Sequence, residues 1–186
     1  MRIISGFLKG HKLSFLKNET TRPLKDSVKE NIFNIIKHSN LIKIKIESSS
    51  ILDLYSGTGS FGIECISRGA KKVTFIENNN LSFNILRNNL FKLSIVEKSS
   101  LINESIESAL DANLNEKFNI FFLDPPFSSN MFVGDLEKIN RKKYFARNHL
   151  VIIHREKKAF DNLSHLMKII TIKEYGRSKV IFGHFF

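Results

Sequence analysis

The chain has 186 residues, 42% of them hydrophobic and 25% charged, with a net charge of +11 and one cysteine, Cys65. That length supports a single domain spanning 1–186, and one cysteine excludes an internal disulfide and fits a reducing compartment. The opening apolar stretch, Met1 to Leu8, meets Lys9-Gly10-His11-Lys12 at once. No later run approaches the ~20 apolar residues of a membrane span, so a cytoplasmic location with no membrane association is expected. The six histidines (His11, His38, His149, His154, His165 and His184) share no ligand spacing with Cys65 or a carboxylate cluster. No metal is therefore expected, and the histidines read as surface or packing residues. The surplus of positive charge favours a polyanionic partner, with an A·T-biased genome as the bland alternative.

In chain order, Arg2 to Leu16 holds short apolar pieces around Gly6 and Gly10 and predicts a small hairpin. From Lys25 the period changes: Val28, Ile32, Phe33, Ile35 and Ile36 share a helical face, with Ser27 and Glu30 as a capping box. Residues 1–40 thus form an N-terminal extension of hairpin and helix. Ser48-Ser49-Ser50 precedes the main body, 50–186, where strands and helices alternate. Predicted strands are Ile51 to Tyr55, Lys72 to Glu77, a weaker one at Leu101-Ile102, Phe118 to Leu123, and His149 to His154. Predicted helices are Phe61 to Arg68, Leu81 to Phe91, Ser105 to Leu110, and one within Asp135 to Arg147. Met167 to Glu174 and Lys179 to Phe186 read as antiparallel strands turning at Gly176. The alternation predicts an α/β fold, a mostly parallel sheet covered on both faces with an antiparallel hairpin at its end.

Two segments carry chemistry. Asp53-Leu54-Tyr55-Ser56-Gly57-Thr58-Gly59-Ser60-Phe61-Gly62 lies between a strand and a helix, where backbone N–H groups can face a ligand. Gly57 and Gly59 allow a tight turn and close approach. Glu77, at the end of the next strand, can accept hydrogen bonds from both hydroxyls of a ribose. This G-x-G-x-x-G string, with an acid ~20 residues on, also fits a nicotinamide dinucleotide. Asp53 separates the two cofactors: an acid in the strand suits the zwitterionic methionine end of S-adenosylmethionine and gains nothing beside a pyrophosphate.

In the second segment an apolar strand ends abruptly at Asp124-Pro125-Pro126-Phe127. Each proline fixes its own φ and holds the residue before it extended, giving a stiff loop. Such a loop aims the Asp124 carboxylate and the Pro125 carbonyl at one point. Two acceptors gripping the N–H bonds of an exocyclic base amine favour a pyramidal nitrogen whose lone pair faces the methyl donor. The carboxylate stabilises the positive charge that develops and can take the released proton. Phe127 would stack on the base. Pyrimidine-carbon methylation needs a cysteine nucleophile, and Cys65, inside an apolar helix, reads as structural instead.

With these segments in place the chain resembles the RsmD family of bacterial 16S ribosomal RNA guanine-N2 methyltransferases. The likeness runs from Arg2-Ile3-Ile4-Ser5-Gly6 and Thr21-Arg22-Pro23, through Lys29-Glu30-Asn31-Ile32-Phe33-Asn34, to the Ile51–Ala70 block and Asp124–Phe127. It implies a Rossmann-like class I methyltransferase fold with a seven-stranded sheet, S-adenosylmethionine as donor and S-adenosylhomocysteine as product. The implied acceptor is the N2 amine of one guanine in 16S rRNA, in the small ribosomal subunit or an assembly intermediate; the residues themselves leave the oligomeric state open, with a monomer expected. Matched by position, Asp53, Tyr55, Gly57 and Gly59 would line the methionine end, Glu77 the ribose, and Glu104 with Ser105 the adenine. Many family members carry Asp-Ala or Asn-Ala where this chain has Glu104-Ser105, and Asn78 is a further possible neighbour.

Basic residues cluster in two places, Arg2, Lys9, Lys12, Arg22 and Lys25 near the start and Arg141, Lys142, Lys143 and Arg147 after the catalytic loop. Both groups are expected to flank the crevice and follow the RNA backbone, a solvated basic face being the alternative for any single lysine. Two other functions use the same residues: an N6-adenine methyltransferase of RNA or DNA, and an inactive RNA-binding assembly factor. An NAD-dependent oxidoreductase is the remote third.

Overall fold

The computed structural model describes residues 1–16 and 24–186. Arg22 and the Thr21-Arg22-Pro23 motif lie outside the described residues.

Helix α1 spans Asp26–His38 and buries Val28, Ile32, Phe33 and Ile36, the face that the apolar spacing marks; Lys37 and His38 in its last turn oppose the helix dipole. It starts earlier than the Ser27–Glu30 box requires: the N-cap is Lys25, without a side-chain cap. Ser27 is already inside the first turn, where its carbonyl accepts from Asn31 Nδ2. The main body runs β1 (Ser50–Leu54), α2 (Ser60–Ser67), β2 (Lys72–Ile76), α3 (Asn80–Lys92), β3 (Ser99–Ile102), α4 (Ile106–Asp111), β4 (Phe118–Leu123), α5 (Phe132–Lys142), β5 (Phe145–Glu156), β6 (Met167–Tyr175) and β7 (Ser178–Phe185). A 3-10 turn, Val96–Lys98, precedes β3. Asn79 and Ser105 cap α3 and α4 by accepting from the N–H groups of Ser82 and Ser108.

The seven strands form one sheet in the order β3-β2-β1-β4-β5-β7-β6. β1 to β5 are parallel, and β7 runs antiparallel between β5 and β6. The expected antiparallel hairpin is therefore folded back so that its second strand is the inner one. β5 starts four residues before the predicted His149, because its pairing with β4 shifts register between Phe118 and Ile120. Exposed Arg147 and Asn148 in that irregular part hide it from an apolar-run reading.

Two cores sandwich the sheet. On one face Ile51, Ile120, Phe122, Leu150 and Ile152 pack against α1, α2 and α3. There Phe122 stacks on Phe61 at 3.9 Å, and Phe61 on Phe33 at 5.2 Å. On the other face Leu52, Leu54, Phe121, Leu123, Val151 and Ile153 meet α4 and α5.

The N-terminal segment is closed by a single antiparallel bridge, Arg2 with Lys12, and by turns between them. Its backbone is tied to α2 rather than to a sheet. Glu64, fully buried, accepts from the N–H groups of Ile4 (2.7 Å) and Ser5 (2.9 Å) and from Arg68 Nε (2.8 Å). Ser67 Oγ accepts from Leu8 N–H and donates to the Ser5 carbonyl. The buried Lys29 ammonium donates to the Arg2 carbonyl and to Ser60 Oγ, with Glu64 at 3.9 Å. Gly6 makes this contact possible: a Cβ there would lie 1.8 Å from the Ser67 carbonyl oxygen. Gly6→Ala is expected to destabilise the protein by about 1–3 kcal/mol, read as a lower urea midpoint with an unchanged slope.

Candidate functional site

The C-terminal ends of β1, β2 and β4 open onto one cleft of about 820 Å³, as expected of ligands on an open α/β sheet. Register explains who meets there. Asp53 pairs with Phe122 and Leu123 with Ile153, so Asp53, Asp124 and His154 extend the face that carries Phe122 and Ile152.

The turn after β1 is built by hydrogen bonds to acids. Asp53, 1% exposed, accepts from the Gly62 N–H at 2.9 Å, which fixes the start of α2. Glu77 accepts from the N–H groups of Gly57 (2.7 Å) and Asn79 (2.8 Å). It therefore joins the ends of β1 and β2 while lining the cleft. Gly59 caps α2 at φ +87°, and a Cβ there would sit 2.4 Å from Leu86 Cδ1. Gly57 differs: a Cβ on it would meet nothing within 4 Å, so its open side faces the cleft. Buried Asn89 holds the turn from behind, donating to the carbonyls of Thr58 and Ser14.

Burial pushes the Asp53 carboxyl well above the ordinary carboxylate range, partly offset by the Gly62 N–H and reinforced by the nearby Asp124 and Glu77. Three acids on adjacent strands thus face a cleft whose floor favours a cation.

Tyr55 lies in the left-handed region at φ +58° and donates its hydroxyl to Asp135 Oδ2 at 2.5 Å. Burial and the Asp135 partner push its pKa up, and burial raises that of Asp135 in turn. The Tyr55 hydroxyl is therefore committed within the protein, while the residue lines the cleft. Glu104 and Ser105 also line it, both exposed; the Glu104 carboxylate accepts from Ser108 Oγ.

Asp124, Pro125 and Phe127 line the same cleft. Asp124 Oδ1 lies 2.8 Å from His154 Nδ1, and Phe127 meets the His154 ring edge-on at 5.5 Å. On the outer side of the loop Arg155, 1% exposed, donates to the Pro126 carbonyl (3.2 Å), to Asn130 Oδ1 and to Asp161, above the Phe132 ring. Nothing in the residue spacing marks His154 or Arg155. Their only signal is the position of two polar residues at the end of an apolar strand.

The basic residues divide. Lys25 lines the cleft mouth, as does Arg177 on the β6–β7 turn. Arg2, Lys9 and Lys12 are exposed on the N-terminal segment. Arg141 and Lys142 do not flank the crevice as expected. A helix that follows a strand runs back along it, so they stand near the start of β4, roughly 20 Å from Asp124 for six residues of strand. Lys142 Nζ donates there to the carbonyls of Leu110 and Asp111. Cys65 is fully buried, and burial raises its thiol pKa, which fits a structural role. Among the described residues no cluster of His, Cys, Asp and Glu could hold a metal, and no helix is long and apolar enough to cross a membrane.

A sheet of this order, with a glycine turn after β1 and an Asp-Pro-Pro-Phe loop after β4, defines a class I methyltransferase. The family model described as conserved hypothetical protein 95 matches residues 1–184, and the chain belongs to that family, the RsmD family. The ribosomal RNA small subunit methyltransferase D of Haemophilus influenzae is 36% identical over 159 residues, 84% of this chain and 79% of the relative. A solved Haemophilus influenzae structure described as a methylase superposes with a TM-score of 0.79 at 30% identity, covering 98% of this chain and 96% of that one. An Escherichia coli structure described as a methyltransferase reaches 0.83 at 24% identity, with 98% and 96% coverage, and bears on the fold alone.

Proposed function

We propose that the protein transfers a methyl group from S-adenosylmethionine to the N2 amine of a guanine in 16S rRNA of the small ribosomal subunit. The observation that carries this reading is the set of three acids, Asp53, Glu77 and Asp124, around one cleft beside the open side of Gly57. Such a floor suits a ligand bearing an ammonium and a sulfonium and opposes a pyrophosphate, which disfavours a nicotinamide dinucleotide. Gly57 and Asp53 would hold the methionine end, the Tyr55 ring would pack beside it, and Glu77 would take the ribose with the oxygen lone pairs its backbone partners leave free. Glu104 and Ser105 would border the adenine.

S-adenosylmethionine, when bound, supplies a methyl on a sulfonium sulfur. The chain's own residues do the rest. Phe127 stacks on the acceptor base, and Asp124 with the Pro125 carbonyl accepts the two amine N–H bonds. Asp124 then receives the proton released as the nitrogen gains the methyl. Arg2, Lys9, Lys12 and Lys25 lie on the N-terminal side and would track RNA phosphates. The names of the relatives support ribosomal RNA as the substrate. The family resemblance supports guanine over the N6 amine of adenine.

Incubation with labelled S-adenosylmethionine and small-subunit particles lacking the modification, followed by nucleoside analysis, tests this. The expected product is N2-methylguanosine. N6-methyladenosine would move the activity to adenine, and no transfer at all would favour a binding role in assembly.

A further inference from the structure

We propose that His154 is a positioning residue for methyl transfer: it holds one oxygen of Asp124 so that the other is left to grip the substrate amine. The inference rests on Asp124 being the amine acceptor, as proposed above.

Backbone register makes the pair obligatory. The parallel pairing of Leu123 with Ile153 carries forward to Asp124 beside His154, with both side chains on the cleft face. Their contact is 2.8 Å, between Asp124 Oδ1 and His154 Nδ1. An ionised carboxylate only accepts, so the proton of this bond sits on Nδ1. The second ring nitrogen, Nε2, is buried and has no hydrogen-bond partner among the described residues. A neutral ring leaves only a lone pair unsatisfied at that point. A proton on Nε2 would instead bury an unmatched N–H there. The tautomer is therefore Nδ1–H, with Nε2 bare.

Leaving a buried polar atom unpaired costs about 1–3 kcal/mol, and such atoms call for a specific reason. Packing alone is not that reason, since an apolar residue at 154 would fill the space without the cost. What an apolar residue would lose is the donor that fixes the Asp124 carboxylate plane. The adjacent Arg155 shows the contrast. Its Nε and both terminal nitrogens are engaged with Asp161, Pro126 and Asn130, so it braces the loop backbone from outside. His154 spends its one N–H on the reacting carboxylate, and its ring meets Phe127 edge-on. It thus touches both side chains proposed to meet the acceptor base. Positioning of this kind is worth about 10–100-fold in rate, as for groups that orient metal ligands or reacting groups from behind.

His154→Leu removes the donor at similar volume, and His154→Asn restores an N–H near the Nδ1 position. With the folded proteins, small-subunit particles and labelled S-adenosylmethionine, kcat is expected to fall about 10–100-fold in the first. KM for either substrate should not change, and His154→Asn should regain most of the loss. Wild-type kcat in His154→Leu, or no recovery in His154→Asn, would overturn the proposal. A second measurement needs no turnover: long-range nitrogen-15 spectra of the wild-type histidines should show His154 protonated at Nδ1 and bare at Nε2. Asp124→Ala should abolish that preference, whereas an Nε2–H tautomer in the wild type would refute the pairing. Failure of the wild type to methylate the particles would instead count against the guanine reading, and the spectra would still decide the pairing.

Discussion

Asp124→Ala is expected to lower kcat by roughly 10³-fold, the range of a lost general base or of a charge-stabilising group, while affinity for S-adenosylhomocysteine, whose sulfur carries no charge, stays close to that of the wild type. The carboxylate borders the cleft at the end of β4, beyond the glycine turn that would hold the cofactor. Its removal should therefore spare that turn. Asp124→Asn keeps the shape and the hydrogen-bond acceptor but loses the charge, so its rate should fall between the two. Single-turnover methyl transfer measures the rate, and calorimetry with S-adenosylhomocysteine measures the binding. Turnover retained in Asp124→Ala would exclude it as the amine acceptor.

Glu64→Ala is the change expected to damage the fold most. It removes a buried carboxylate from three N–H donors and leaves the Lys29 ammonium with Asp26 at 3.8 Å as its remaining anionic partner. Breaking one side of a buried pair costs about 3–5 kcal/mol. For a chain of this size that corresponds to a melting temperature lower by roughly 6–20 °C. The deficit should depend on pH in a definite direction. Burial already holds the Lys29 pKa below its ordinary value, against the opposing pull of Glu64 and Asp26. Loss of Glu64 lowers it further. A lysine whose folded pKa is depressed destabilises the protein while it is protonated. That penalty fades as pH rises from the folded value towards the unfolded one, about 10.4. The gap between Glu64→Ala and wild type should thus narrow as pH is raised, measured by urea unfolding of both at each pH. A gap that stayed constant would mean that Lys29 does not carry the penalty.

Lys29 and Glu64 also show where sequence reading stops. The apolar period of α1 marks Val28, Ile32, Phe33 and Ile36 as its inner face, but a lysine at 29 reads as solvent-facing. Its burial follows from the crossing of α1 over α2, which no local pattern encodes. Arg155 and His154 are similar: each lies at the end of an apolar run, where polar residues ordinarily mark a return to water. Arg141 and Lys142 err in the other direction. They follow the Asp-Pro-Pro-Phe loop in the chain, yet α5 carries them back to the level of the start of β4.

The Asp-Pro-Pro-Phe segment and the Gly57–Gly59 turn needed no tertiary information, because proline and glycine restrict or free the backbone wherever they stand. The period of apolar residues likewise determined which stretches are strands and which are helices, and the alternation determined a parallel sheet. What only the folded chain decided is which side chains meet across those elements. Strand register set Asp124 beside His154, helix direction took the Arg141 group from the cleft, and close packing of the N-terminal segment on α2 buried Lys29 with Glu64. Local residue choice governs the backbone conformation of each element, but hydrogen bonds between groups sixty residues apart form only once the sheet and its helices are in place.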